Sequence, residues 1–296
     1  MKSFLSFVNS KLPYERVAIG KFDGMHKAHK YLLGLVGTNG CALSIASVKP
    51  PFITPPKERT KYTHIPFFRL RFESIKSWDS MQFLQLLFMV MPHLKCIVIG
   101  YDFHFGKDRM SHASDLYGLL KLMGKAEVQI KIVAPQTYLN IPLHTSIIKD
   151  LLKQGEIQNA NAMLERFYHI KGRIIKGQGI GSKELYPTIN MKNTLYFVPK
   201  HGVYATFAYY NGMLYNAVSF VGNRFSTDER FCIETHIIDE TINTKHNEVI
   251  TIFFVAYLRD NKKFLNLNDL KIQIESDITD AKEKLSTHDR TYCRYV

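Results

Sequence analysis

Short apolar strands alternate with helical stretches through the first half of this chain, and the alternation stops at about Leu164. Cys96–Gly100 (CIVIG) is apolar almost throughout, as suits a strand covered on both faces. Residues 16–20, 41–48 and 128–134 have the same character, and helical stretches fall between the runs at 27–37, 81–91 and 113–123. Strand, helix and strand in succession predict an α/β domain with a Rossmann-like parallel sheet. Two short helices, 147–154 and 157–164, close this half. Beyond Phe167 come runs of Val, Ile, Phe, Tyr and Thr at 202–210, 214–222, 231–238 and 249–258, with an Asn211-Gly212 turn joining the first two. That texture predicts a small antiparallel β-barrel, and the chain then offers a helix at 267–285. The expected division is 1–164, 165–285 and a tail, 286–296. Two domains also suit a 296-residue chain at roughly 150 residues each.

The formal net charge is +13, which favours anionic partners without choosing between nucleic acid, phosphorylated small molecules and acidic membrane. Apolar residues at 46% and charged residues at 22% exclude a disordered or fibrous chain. A nucleic-acid binder should carry its charge in a stripe or tail interleaved with aromatics. The best candidate, Lys49–Phe72, holds Pro50, Pro51, Pro55 and Pro56 and fits an irregular loop, or a lid beside a nucleotide site. Cys41, Cys96, Cys232 and Cys293 form no metal or redox spacing, which suits a reducing cytoplasm. The first residues lack a signal-peptide core. The most apolar run, Phe83–Met91, is too short to span a bilayer and fits a buried helix. A cytoplasmic protein with neither a membrane nor a nucleic-acid partner is the expectation; oligomeric state is not legible.

Ile19–Leu33, IGKFDGMHKAHKYLL, carries the most chemistry. A strand ends at Gly20, a turn with Phe22, Asp23 and Gly24 follows, and His26 and His29 flank a helix start. Exposed backbone N–H groups and the positive end of a helix attract phosphate, and two histidines one turn apart can donate to a transferring phosphoryl group. Read alone, the same residues also fit a strand–turn–helix corner with two surface histidines, or part of a metal site lacking a third ligand.

Taken with motifs further along, this segment resembles the F-D-G-x-H-x-G-H signature of the prokaryotic bifunctional riboflavin kinase/FAD synthetases (FMN adenylyltransferases). Ile97–Arg109 is similar to that family's V-G-x-D-F-x-F-G-x-x-R, and Leu143–Tyr168 to its S-S-T-x-I-R stretch and the linker beyond. Gly177–Asn190 resembles its Gly-rich loop and P-T-A-N, and His201–Ala205, Phe231–Asp239 and Leu270–Lys282 follow in the family's order. The resemblance implies two ATP-dependent reactions: phosphorylation of riboflavin to FMN, and adenylylation of FMN to FAD with release of pyrophosphate. It implies Mg²⁺, an adenylyltransferase in the α/β half and a kinase in the barrel.

It also implies roles. His26 and His29 would stabilise charge on ATP, with Gly20, Phe22, Asp23 and Gly24 in the turn and Thr145, Ser146 and Lys149 on the triphosphate. Asp102, Phe103, Phe105 and Arg109 would line the flavin and nucleotide pocket, although Phe103 and Phe105 equally suit a core. Thr188 and Asn190 would hold the metal, Gly177, Gly179, Gly181 and Lys183 the kinase's ATP, and Glu234 would be its base. Read alone, Thr145 and Ser146 suit a helix cap, Thr188 and Asn190 a polar turn, and Glu234 a solvent-facing strand residue. The chain departs from the pattern at Ala28, at Pro50-Pro51-Phe52 where the family has P-H-P, at Lys149 for arginine, and at Ser182 in the Gly-rich loop. These departures leave open a chain in which only one half works, the adenylyltransferase beside a weakened kinase; a basic nucleic-acid-binding protein is the more distant alternative.

Overall fold

The computed structural model describes residues 1–46, 49–176, 186–223 and 231–293. Packing divides the chain into two units: Met1–Lys49 with Thr54–His144, and Pro50–Ile53 with Thr145 onward.

The first unit is built on a parallel six-stranded sheet. Its strands are β1 (Lys2–Ser3), β2 (Arg16–Gly20), β3 (Gly40–Ala46), β4 (Phe67–Arg71), β5 (Cys96–Gly100) and, after a short β6/β7 hairpin (His104–Phe105 and Ser111–His112), β8 (Gln129–Val133). A second small hairpin, β9 (Thr137–Tyr138) and β10 (Ile141–Pro142), ends the unit. The sheet order is β1-β4-β3-β2-β5-β8. Three helices interleave, α1 (Lys27–Gly34), α2 (Ser80–Val90) and α3 (Leu116–Leu122). The most apolar run of the sequence is α2, which buries Phe83, Leu84, Leu86, Leu87 and Val90. Its start is set by a reciprocal cap: Asp79 accepts from the Gln82 N–H at 2.8 Å and the Gln82 side chain accepts from the Asp79 N–H at 3.0 Å.

The stretch expected as an irregular loop or lid contains a strand of the sheet. In β4, Phe67, Phe68 and Leu70 are buried and the strand pairs with β3 from Ala42↔Phe67 to Ala46↔Arg71. Arg69 and Arg71 hide its apolar pattern from a sequence reading. The ordering β4-β3-β2 to one side and β5-β8 to the other makes the gap between β2 and β5 the place where the winding reverses. Ligands bind at such a switch point, beyond the carboxyl ends of the strands.

The second unit begins with α4 (Thr145–Gln154) and α5 (Ile157–Leu164). The sequence reading placed these helices with the α/β half. They pack with the barrel: Asn161 of α5 donates to the Phe254 carbonyl at 2.9 Å and accepts from the Tyr168 N–H at 2.6 Å, and the Lys200 N–H reaches the Leu152 carbonyl at 2.8 Å. The barrel strands are β11 (Tyr168–Ile175), β12 (Ile189–Lys192), β13 (Gly202–Tyr210), β14 (Met213–Asn223), β15 (Phe231–Ile237) and β16 (Val249–Arg259). They close in the order β11-β12-β15-β14-β13-β16, every pair antiparallel. Asn211 (φ 48°) and Gly212 (φ 84°) form the β13–β14 turn with the left-handed backbone that a two-residue hairpin of type I′ demands.

Helix α6 (Leu267–Ser286) lies on the outside of the barrel, where Ala281 and Leu285 join Val203, Ala205, Phe207 and Phe253 in one core. Asp277 of α6 is buried and receives both prongs of Arg259 on β16, at 2.7 and 2.6 Å, and a third bond from Gln273 at 3.1 Å. The expected tail is not detached as far as Cys293: the Tyr292 ring lies 5.6 Å from Phe167, and Arg290 donates to Asn216 at 2.9 Å. Among the described residues all four cysteines are free, and no helix is long and apolar enough to cross a membrane.

Removing Asp277 takes the forked acceptor from Arg259, which is part-exposed and stays bonded to the Asp260 carbonyl. Asp277→Ala should therefore lower the unfolding free energy by about 2 kcal/mol, the worth of hydrogen bonds to a charged group. The check is a urea titration in which the midpoint falls while the slope is kept.

Candidate active sites

The turn between β2 and α1 stands at the switch point. Its backbone is unusual: Phe22 (φ 53°), Gly24 (φ 94°) and Met25 (φ 44°) are all left-handed, and two of the three carry side chains. Such a backbone persists only when its surroundings over-determine it. Phe22 and Met25 are fully buried, and Phe22 sets its edge against Phe67 and His29, each 5.4 Å between centroids. Gly20 lies under the same ring, and a Cβ there would meet the Phe22 Cζ at 3.3 Å.

Beneath the turn lies Arg59, 1% exposed. Its guanidinium donates to the Thr54 carbonyl at 3.1 Å, the Lys21 carbonyl at 2.8 Å and the Ser44 hydroxyl at 3.1 Å, and lies 3.9 Å from the Asp23 carboxylate. Burial pulls its pKa down and Asp23 opposes that. Asp23 also accepts from the Thr54 N–H at 3.0 Å, so it faces inward and shapes the turn. The turn presents the head of α1. His26 is the N-cap residue, and its ring stacks on that of His29 with 3.7 Å between centroids and 21° between planes. Two imidazoles and the first helical N–H groups thus converge where an anion is favoured.

The loop after β5 emerges on the same edge of the sheet, one strand away. Asp102 is exposed, with its carboxylate 3.7 Å from His144 Nδ1, whose Nε2 is 2.7 Å from the Tyr101 hydroxyl. Arg109 is exposed and left-handed (φ 61°), with a nitrogen 3.4 Å from His104 Nδ1. The two phenylalanines separate. Phe105 is buried beside Phe83, whereas Phe103 stacks on Phe105 and remains partly exposed. Phe103 is the one able to meet a ligand. Thr145, Ser146 and Lys149 belong to the second unit: both hydroxyls head α4 inside its first turn, and the Lys149 ammonium lies 5.7 Å from the centroid of the Phe197 ring.

In the barrel the structure brings two candidates directly together. Asn190 of β12 is the cross-strand partner of Glu234 of β15, so their side chains share a face with Cβ atoms about 5 Å apart. Asn190 is buried and Glu234 half-buried. Thr188, two residues before Asn190, is exposed at the entrance of the same strand. A cleft of about 500 Å³ opens alongside, lined among others by Tyr186, His236, Ile238, Glu275 and Ile278. His236 lies two residues beyond Glu234 on the same strand face, and its Nδ1 is 2.9 Å from the Pro187 carbonyl. Gly177, Gly179, Gly181 and Lys183 lie outside the described residues.

A flavokinase (riboflavin kinase) family model matches residues 164–285, the barrel and α6. Along nearly its whole length the chain is similar to proteins named bifunctional riboflavin kinase/FMN adenylyltransferase. That of Buchnera aphidicola subsp. Acyrthosiphon pisum is 29% identical over 92% of this chain and 94% of its own length; that of Mycoplasma pneumoniae is 29% identical over 91% and 97%. The match to the flavokinase model is confined to the second half, whereas the similarity to the bifunctional proteins runs through both halves. In fold it also matches the crystal structure of a macrolide-efflux protein from Streptococcus pneumoniae, with a TM-score of 0.80, 21% identity and coverage of 95% of this chain and 97% of that one.

Sequence reasoning missed Arg59, whose partners come from three separate segments, and the cleft residues Tyr186 and Glu275. A lone arginine in a basic, proline-rich stretch carries no signal of burial. The only available hint is the pairing of a turn aspartate, Asp23, with the need for an internal cation.

Arg59→Met keeps the volume but removes the donor to the buried Thr54 carbonyl and one of two donors to the Lys21 carbonyl, and takes the buried cation from beside Asp23. The expected cost is about 3 kcal/mol. Arg59→Lys should recover less than half of it, because an ammonium lacks the fork. Urea denaturation of the three proteins makes the comparison.

Proposed function

We propose that this chain is a bifunctional flavin-cofactor enzyme that phosphorylates riboflavin to FMN with ATP and joins FMN to AMP, giving FAD and pyrophosphate. The observation that carries the kinase half is the pairing of Asn190 with Glu234 on a closed barrel within the stretch that matches the flavokinase model. Glu234, half-buried on its strand, takes the proton from the riboflavin 5′-hydroxyl as that oxygen attacks the γ-phosphorus of ATP. The residues present fit Mg²⁺: Thr188 and Asn190 offer two hard oxygen donors on one side of a strand. An ion bound mainly through ATP phosphates needs only one or two protein ligands. When bound, the ion neutralises phosphate charge. Asn190 and Thr188 then hold the nucleotide in register with Glu234.

In the first unit, His26 and His29 donate hydrogen bonds to ATP as the FMN phosphate oxygen attacks the α-phosphorus and pyrophosphate leaves. The head of α1 supplies further N–H donors. Asp102, Phe103 and Arg109 stand one strand away, where the flavin or nucleotide base is placed by this assignment. Phe105 acts through Phe103, as the core residue beneath it. Thr145, Ser146 and Lys149 are assigned to the triphosphate on the motif alone, as are Gly177, Gly179, Gly181 and Lys183 to the kinase's ATP. Small molecules are the partners this chemistry calls for, and a cytoplasmic location suits it.

Purified protein with riboflavin, ATP and Mg²⁺ should form FMN and then FAD, separated by chromatography; neither product would overturn the proposal. Glu234→Gln should reduce FMN formation by about 100-fold or more while FAD still forms from supplied FMN. His29→Ala should do the reverse.

A further inference from the structure

The cleft lined by Tyr186, Pro187 and His236 has two walls, one made by β15 and the segment entering β12, the other by α6. Tyr186 spans them. Its hydroxyl donates to Glu275 Oε1 of α6 at 3.1 Å, and its ring meets His236 of β15 edge to face, 5.1 Å between centroids. The next residue, Pro187, has its carbonyl 2.9 Å from His236 Nδ1. Two consecutive residues are therefore fastened from two directions, and the next along the chain is Thr188, with Asn190 two further on.

We propose that Tyr186 is a positioning residue of the kinase site: by bridging to Glu275 across the cleft it sets the Tyr186-Pro187-Thr188 segment so that the Thr188 hydroxyl meets the magnesium–ATP complex, beside an Asn190 that the ladder already holds. This rests on the kinase assignment above. The argument is geometric. The peptide units around Thr188 precede the regular pairing of β12, which begins at Ile189↔Thr235, so the ladder does not fix them. The tyrosine bond and the histidine contact supply the restraint that backbone pairing does not. Freed from α6, the segment keeps its covalent entry into β12 but loses the orientation of the Thr188 hydroxyl. The consequence falls on the nucleotide complex rather than on the proton transfer at Glu234, which the β12–β15 and β15–β14 ladders hold on both sides.

The test is a double-mutant cycle of Tyr186→Phe and Glu275→Ala, read as FMN formation from riboflavin and magnesium–ATP. Tyr186→Phe removes one oxygen atom, so folding is not at risk, and thermal unfolding checks it. A hydrogen bond to a charged partner is worth enough that the KM for magnesium–ATP should rise about fivefold or more in each single variant, with kcat within about twofold of the parent. The double variant should be no worse than either single one, and Glu275→Gln, which keeps an acceptor oxygen, should stay near the parent. An unchanged KM in Tyr186→Phe, independent effects that multiply in the double variant, or a fall confined to kcat would each overturn the proposal. Absence of FMN formation by the parent protein would overturn the kinase assignment and this inference with it; an active parent with an indifferent Tyr186→Phe would overturn the inference alone.

Discussion

A single buried cation organises the first unit's site. Arg59 reaches the end of β2 at Lys21, the following turn at Asp23, the middle of β3 at Ser44 and its own loop at Thr54. The turn it supports contains two side-chain-bearing residues in a backbone conformation that costs on the order of 1–2 kcal/mol each. Without the guanidinium at its root, that turn has cheaper alternatives. The guanidinium closes them off, and a planar fork with five donors suits the task better than an ammonium. The histidine pair is then a consequence: once the turn is set, His26 takes the N-cap position of α1 and His29 stacks on it one helical turn later.

The barrel solves its problem differently. Its candidate residues lie on strands that are neighbours in space but distant along the chain, and register alone brings Asn190 opposite Glu234. A slip of one residue would send one of the two side chains to the opposite face. Inside the barrel Thr206, Ser219 and Thr235 link hydroxyls at 2.9 and 2.8 Å across β13, β14 and β15, which ties the Glu234 strand to its neighbours on the side away from Asn190.

Much of this was readable beforehand, for identifiable reasons. Strand β5 is apolar on both faces, α2 carries an apolar run bounded by a cap and a proline, and the Asn211-Gly212 turn has the residues its backbone requires. Strand β4 was not readable, because Arg69 and Arg71 break its pattern. Helices α4 and α5 were legible as helices, but their allegiance was not: it depends on Asn161 meeting Phe254, a contact between residues far apart in sequence. The motif histidines, Asn190 and Glu234 were legible as residue types in order, whereas their stacking and pairing came only from the fold. Asp277 could be matched to a family motif, but its partnership with Arg259 could not be read from either segment.

Closure of the barrel has a consequence for the order of synthesis. Strand β11, the first of the six, finds its second neighbour only in β16, the last. Every strand of the parallel sheet leaves the ribosome before β11 does, whereas the barrel cannot seal until Arg259 has emerged. Asp277 must follow before the outer helix can lock to β16. Domains generally fold as units, the earlier ones first. A nascent chain therefore carries a finished parallel sheet while its barrel is still open. In that interval β11 and β13, whose missing neighbour is β16, have edges with nothing to cover them, the stage at which association between chains competes with folding.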